Sequence, residues 1–226
     1  MNVFIVYAHP EPKSFNGAMK DLAVQVLRQE GHVVHVSDLY AKQFDAAGGP
    51  GDFVQLRDQN FFNYLEEQVG ATQAGSFVPE LKEEMDKVVW ADLLIFQFPL
   101  WWFSLPAILK GWVDRVFAMG FSYEIRRNFE NGIFRGKRAM LSLTTGSPEF
   151  TYGPKGKLGN IHHLIHHIQY GMLYYVGMDV LPPFIAYAAG HISPEQRAVC
   201  LKAYKERLLA LDTTAPLALR AVDDSL

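Results

Sequence analysis

Residues 91–112 read ADLLIFQFPLWWFSLPAILKGW, and seventeen successive residues between Asp92 and Lys110 carry no charge. This length lies near the lower limit for a membrane-spanning helix, so a membrane span has to be considered. Pro99 and Pro106 argue against it because proline interrupts a helix, and Gln97 places an amide inside the apolar run. The stretch therefore predicts a buried strand, an aromatic turn and the start of a helix, with no integral membrane segment.

Similar apolar runs lie on both sides of this stretch. Residues 2–8 (NVFIVYA) and 138–146 (RAMLSLTTG) are typical of strands covered on both faces of a parallel sheet. Two more strands are predicted at 32–40 and 179–187. Helical spacing or helix-start residues predict a helix that stops at Gly31 and others at 79–90, 106–119, 161–176 and from Ser193 onward.

Five strands that alternate with five helices predict the α/β class, as a doubly wound five-stranded parallel sheet with helices on both faces. Residues 1–226 are expected to form a single domain. Within it, residues 41–76 have no clean periodicity and are interpreted as an irregular excursion with one short helix. Residues 211–226 are interpreted as a C-terminal arm.

Composition narrows the function classes. The 226 residues are 49% hydrophobic and 20% charged, which argues against a disordered chain. A net charge of −3 disfavours nucleic acid as a partner. The single cysteine, Cys200, cannot close an intrachain disulfide and is expected to be a buried structural thiol in a reducing cytoplasm. The N-terminal apolar run has no basic region before it and does not match a signal peptide.

In the predicted sheet, the loops after the first, third and fourth strands meet in one crevice. Residues 9–16 (HPEPKSFN) lead into a helix N-terminus that can hold a phosphate, with Ser14 or Asn16 as its cap, although an ordinary capped turn is equally compatible. The aromatic turn at 99–106 suits a planar heteroaromatic ligand, or else a core or dimer contact. Residues 144–147 (TTGS) allow backbone N–H groups to approach a ligand. No glycine-rich nucleotide fingerprint is present.

Several segments together resemble the FAD-dependent NAD(P)H:quinone oxidoreductases of the DT-diaphorase type. They are AHPEPKSFN at 8–16, SDLYA at 37–41, ADLLIFQFPLWWFSLPAILKGWVDRVF at 91–117, FRGKRAMLSLTTG at 134–146 and GH at 190–191. The resemblance implies a flavodoxin-like fold, a homodimer, and two-electron reduction of quinones by NAD(P)H through bound FAD. It further implies a ping-pong reaction, in which the nicotinamide leaves before the quinone binds. FMN is the less favoured cofactor.

The resemblance also implies a set of cofactor-binding residues. They are His9, Ser14, Phe15 and Asn16 in the first loop, Leu100, Trp101, Trp102 and Phe103 in the aromatic turn, Thr144, Thr145, Gly146 and Ser147 in the third loop, and Asn63 and Arg197 for the adenylate half. Two positions depart from the family. Trp101 stands where the family usually has glutamine, and Ser147 where it often has a second glycine.

Tyr152 matches the family's catalytic hydrogen-bond donor at the flavin edge. The family's histidine six residues later is Leu158 here. We therefore expect Tyr152 to act without that partner, or with His162 or His163 in its place.

The resemblance places Trp102, Tyr123 and Tyr175 in the wall of a quinone pocket that a second subunit partly builds. A second family tyrosine is Ile125 here, so the preferred quinone does not carry over.

Two other hypotheses about the function are compatible with the sequence. One is an accessory flavoprotein that regulates a partner, such as the ancillary subunits of potassium-efflux systems. The other is an electron carrier that binds FMN. The histidines at 162, 163, 166 and 167 form two pairs at helical spacing, but without a third ligand they favour a surface or interface role over a metal site.

Overall fold

The computed structural model describes residues 1–153 and 155–220. It contains six strands, which are β1 Asn2–Tyr7, β2 Val33–Asp38, β3 Leu93–Pro99, β4 Arg138–Thr144, β5 Asp179–Val180 and β6 Phe184–Ala186. Its seven α-helices are α1 Phe15–Gln29, α2 Tyr64–Ala74, α3 Pro79–Trp90, α4 Ala107–Val116, α5 Ile161–Leu164, α6 His166–Ile168 and α7 Pro194–Leu209.

The strands form one parallel sheet in the order β2-β1-β3-β4-β5, and β6 also pairs with β4. β1, β3 and β4 lie at its centre. Every residue of β3 is buried, as its continuous apolar run predicts. This confirms the predicted α/β class and the doubly wound parallel sheet.

Helices cover the sheet on both faces. α1 and α7 pack on one face around Met19 and Tyr204, whereas α3 and α4 pack on the other around Trp112. Ser14 caps α1 by accepting a hydrogen bond from the Gly17 N–H at 3.1 Å. The carboxyl ends of the central strands therefore open between the start of α1 and the loops that follow β3 and β4.

Two predicted elements are wrong in detail. The fifth strand is interrupted at Pro182 and Pro183, which have no N–H for the ladder, so β5 and β6 pair separately with β4. The helix predicted at 161–176 is broken at Ile165, whose φ of −95° and ψ of 0° leave the helical region. It continues through α6 into a π-helical segment, Gln169–Tyr174.

The excursion at 41–76 contains α2 and a short 3₁₀ turn, Pro50–Asp52. It is held to the main body by a buried ion pair, in which Arg115 Nη2 of α4 lies 2.8 Å from Asp52 Oδ1. The predicted arm at 211–226 is described as far as residue 220. There Leu217 N–H donates to the Val180 carbonyl at 2.8 Å, and residues 221–226 lie outside the described part.

Across the described ranges, no helix has both the length and the apolar character that a bilayer crossing requires.

Candidate functional site

A cleft of about 450 Å³ lies at the carboxyl ends of β1, β3 and β4. Ten of the predicted cofactor residues line it, namely His9, Ser14, Phe15, Asn16, Leu100, Trp101, Thr144, Thr145, Gly146 and Arg197. Four residues that were not predicted to bind the cofactor complete the lining; Lys13, Pro99 and Gly190 belong to segments singled out in the sequence, and Ala189 does not. Chain topology therefore brings together three loops that are far apart in sequence.

The charges that line the cleft favour an anionic ligand. Lys13 and Arg197 are cationic, and no aspartate or glutamate is among the lining residues. Arg197 is held in place because its Nη2 donates to the Ala189 carbonyl at 2.9 Å, and its guanidinium lies 5.4 Å from the centre of the Phe15 ring. The first N–H groups of α1 add the positive end of a helix dipole. Lys13, a cation directly before the helix cap, was the available sequence signal for this property.

The aromatic turn is held in an unusual backbone conformation. Trp101 and Ser104 exchange backbone hydrogen bonds, and between them Trp102 and Phe103 have φ values of 51° and 60°. These left-handed conformations cost residues with side chains about 1–2 kcal/mol each. The Trp101 ring lies 6.4 Å from the His9 ring and lines the cleft. Trp102, which is 94% exposed, and Phe103 lie outside the cleft lining.

The loop after β4 leaves room for a flat ligand. A β-carbon built on Gly146 would meet no atom within 4 Å, so the backbone borders open space. Within the described part of the chain, the N–H groups of Gly146 and Ser147 have no acceptor. Open space and free donors on one wall, with cations near the helix terminus, fit a planar cofactor that carries phosphate. Ser147 itself lies outside the cleft lining.

Tyr152 ends a 3₁₀ turn, Glu149–Tyr152, and is 7% exposed. Its ring centre lies 5.8 Å from that of Tyr187, and it is not among the residues that line the cleft. His162 and His163 are exposed, and in the described residues neither bonds to Tyr152 through its side chain. Leu158 joins the same turn through its backbone, whose N–H donates to the Thr151 carbonyl at 3.0 Å, and its half-buried side chain packs against the core that includes Tyr152.

The other two histidines have specific contacts. His167 Nε2 lies 3.0 Å from Ser104 Oγ, and the His166 ring stacks on Tyr170. Among the described residues, no group of three histidine, cysteine or acidic side chains is placed to hold a metal ion.

Three further predicted residues lie at or beside a second, larger cavity of about 620 Å³. Tyr123 and Tyr175 line it, with ring centres 5.4 Å apart. Burial, with a smaller contribution from Tyr175, raises the pKa of Tyr123 above its ordinary value. Asn63 caps α2, next to Tyr64 in the cavity wall. One chain thus divides the predicted cofactor and substrate residues between two cavities.

Known proteins share this architecture. A family model described as a flavodoxin-like fold matches residues 1–211. The chain is 43% identical over 214 residues to NAD(P)H dehydrogenase (quinone) 1 of Cavia porcellus, which covers 94% of this chain and 78% of that protein. It is 41% identical over 216 residues to ribosyldihydronicotinamide dehydrogenase (quinone) of Homo sapiens, covering 95% and 94% of the two chains.

Among solved structures, a candidate quinone reductase from Klebsiella pneumoniae superimposes with a TM-score of 0.93 at 41% identity. The match covers 100% of this chain and 90% of that one. The fold, the cleft at the ends of the central strands and these identities agree, and the chain belongs to the flavodoxin-like family that includes the quinone dehydrogenases.

Proposed function

We propose that this protein is an NAD(P)H dehydrogenase (quinone) that reduces quinones by two electrons through FAD bound in the 450 Å³ cleft. The observation that carries the proposal is the cleft itself. It combines open space at Gly146, free backbone donors and two cations, in a chain 41–43% identical to named quinone dehydrogenases. When bound, FAD supplies hydride acceptance from the nicotinamide and hydride donation to the quinone, which implies a ping-pong order.

The chain's own residues have distinct roles in this proposal. The start of α1, with Lys13 and Arg197, binds the phosphates, and Arg197 is the reason to favour FAD over FMN because it adds a cation beyond the helix terminus. Trp101 covers one side of the ring system. The N–H groups of Gly146 and Ser147 bind the pyrimidine edge, whereas the Thr145 N–H already donates to the Ala186 carbonyl at 3.0 Å. The presence of Lys13, Arg197, Trp101 and Gly146 in the cleft lining supports these assignments.

The quinone pocket is proposed to form between two subunits. Trp102 is almost fully exposed beside the cleft, whereas Tyr123 and Tyr175 line a different cavity of the same chain. A homodimer in which the partner's Tyr123 and the partner's Tyr175 cover the cleft would unite these aromatic side chains around a quinone. The reducing cytoplasm remains the proposed location, since the sequence has one thiol, Cys200, and therefore no intrachain disulfide. Cys200 is half-buried and not fully buried as expected.

The first test is the identity of the flavin and the turnover it supports. Purified protein is boiled, the released flavin is weighed by mass spectrometry, and NADH or NADPH oxidation by menadione is followed with micromolar enzyme. We expect FAD and rapid turnover. Protein that stays colourless after incubation with excess FAD or FMN would contradict the proposal. Tight flavin with negligible turnover would favour the accessory flavoprotein, and FMN with slow turnover the electron carrier.

Tyr152 is proposed to donate a hydrogen bond to negative charge that develops at the flavin edge during hydride transfer. We expect Tyr152→Phe to slow hydride transfer by about 10²- to 10³-fold while FAD stays bound, because one preorganised donor is lost. Stopped-flow absorbance measures flavin reduction and reoxidation separately.

Tyr187→Phe is the matched control, because it removes the hydroxyl of the neighbouring ring. Unchanged rates in Tyr152→Phe would remove the role. His162→Ala and His163→Ala test whether either histidine assists Tyr152. A decrease in the rate of hydride transfer as large as that in Tyr152→Phe would identify the partner.

A further inference from the structure

Three buried polar side chains form a line of hydrogen bonds beneath the cleft. Gln97 Nε2 donates to Asn16 Oδ1 at 2.8 Å, and Asn16 Nδ2 donates to Thr144 Oγ1 at 2.7 Å. The three residues are 1%, 3% and 5% exposed and belong to β3, α1 and β4. This line, which we call the Gln97 relay, joins the three elements whose ends build the cleft.

The relay has a direction. Because Thr144 Oγ1 accepts from Asn16, its own hydrogen is left for another acceptor, and Thr144 lines the cleft. In the reverse direction the Thr144 hydroxyl would donate to the Asn16 side chain, and the Asn16 NH₂ group would donate to Gln97. The buried NH₂ group of Gln97 would then have no acceptor. In the observed direction the atom without a partner in the described chain is the Gln97 carbonyl oxygen, Oε1. Buried donors without acceptors are rarer than under-satisfied carbonyl oxygens, so Gln97 favours the observed direction.

We propose that Gln97 is a positioning residue for the cofactor. By donating to Asn16 it orients the Asn16 amide, so that Thr144 presents its hydroxyl hydrogen to an oxygen or ring-nitrogen acceptor of the flavin. Gln97 does not line the cleft and acts only through the other two side chains. The inference rests on the proposed flavin binding and adds to it the residue that determines whether Thr144 acts as donor or acceptor.

The test is a double-mutant cycle on FAD affinity. Thr144→Val removes the hydroxyl and is expected to raise the Kd for FAD about fivefold, the typical loss for one hydrogen bond. Gln97→Met removes the anchoring donor at similar side-chain size, leaves the Asn16 amide free to turn, and is expected to raise the Kd by a similar factor. Since both act on the same hydrogen, the double variant should bind FAD no more weakly than the weaker-binding single variant.

Ser142→Ala is the matched control. Ser142 pairs with Gln97 in the β3–β4 register and its side chain is buried, but it is not part of the relay. We expect its Kd for FAD to equal that of the wild type. The absorption bands of bound FAD should shift in the same direction in Thr144→Val and Gln97→Met, and should not shift in Ser142→Ala.

A measurement on the wild type keeps the proposal testable if Gln97→Met does not fold. The side-chain amide hydrogens of Asn16 and Gln97 that form the relay should exchange slowly with solvent by NMR. Rapid exchange of the Asn16 amide, or effects of the two substitutions that multiply in the cycle, would overturn the inference. Wild-type protein that binds no flavin would instead overturn the proposed function, so the two failures are distinguishable.

Discussion

Glu84 is a charged residue whose side chain has no exposed surface. Four donors reach its carboxylate, namely Lys42 Nζ at 2.7 Å, Lys87 Nζ at 2.8 Å, Ser37 Oγ at 2.8 Å and Trp112 Nε1 at 2.9 Å. Burial alone would raise the pKa of Glu84, but these hydrogen bonds outweigh burial and hold the pKa below its ordinary value. At the scale of single residues, this carboxylate links β2, α3 and α4.

Glu84→Gln is expected to lower the free energy of unfolding by about 3 kcal/mol at pH 7, because two lysines lose their buried counter-charge. Since the folded-state pKa of Glu84 lies below the ordinary value of 4.5, its contribution is complete above that pH and is lost as the pH falls through the folded-state pKa. The difference between wild type and variant should therefore be constant near neutral pH and shrink below about pH 4.5. Urea unfolding at several pH values measures it.

Glu83→Gln is the control for this prediction. Glu83 contacts the same two lysines, but its side chain is 58% exposed. We expect a loss below about 1 kcal/mol, as for other exposed ion pairs. If Glu84→Gln and Glu83→Gln lower the free energy of unfolding equally, burial of the carboxylate does not determine its contribution to stability.

At the scale of secondary-structure elements, the aromatic turn at residues 99–106 is held by α6, a helix far away in sequence. The Leu164 carbonyl can only accept, so His167 Nδ1 carries a hydrogen, and in the neutral ring Nε2 accepts from the Ser104 hydroxyl at 3.0 Å. This bond joins the turn to α6. Because Trp102 and Phe103 have left-handed backbone conformations, the turn needs such fixed ends to keep its shape.

Ser104→Ala and His167→Ala are each expected to raise the Kd for FAD about threefold, since an exposed hydrogen bond is worth less than a buried one. The two effects should not add, because both substitutions remove the same bond. Flavin titration measures affinity, and near-ultraviolet circular dichroism reports the packing of the tryptophans. His163→Ala, which alters an exposed histidine one turn earlier that does not contact the aromatic turn, should leave the Kd for FAD at the wild-type value. A loss of FAD affinity in only one of the two variants would contradict the hydrogen bond between Ser104 and His167.

At the scale of the whole molecule, the proposed homodimer would bring the 450 Å³ cleft of one chain against the 620 Å³ cavity of the other. Sedimentation should give a particle of twice the 25.6 kDa chain. If each quinone site combines Trp102 of one chain with the partner's Tyr175, a mixed dimer of a Trp102→Ala chain and a Tyr175→Ala chain contains one intact site and one doubly altered site. We therefore expect about half of the wild-type quinone turnover.

Each parent homodimer, with one change in every site, is the control and should be strongly impaired. Mixed dimers whose activity equals the mean of the two parents would show that each site lies within one chain.

Much of the fold could be predicted from the sequence because its signals are local. The apolar run of β3, the Ser14 cap and Pro79 at the start of α3 each act within a few residues. The resemblance added ten residues that do line one cleft. Catalytic and substrate roles, Tyr152 included, stay predictions.

The sequence by itself determined β1 to β4 and the helices α1, α3, α4 and α7, because periodicity and capping are properties of neighbouring residues. Only the tertiary structure decided what meets across the fold. Gln97 donates to Asn16, which lies 81 residues away along the chain, and His167 contacts Ser104, which lies 63 residues away. Such contacts depend on chain packing, which leaves no local pattern, and so does the separation of Tyr175 from the cleft.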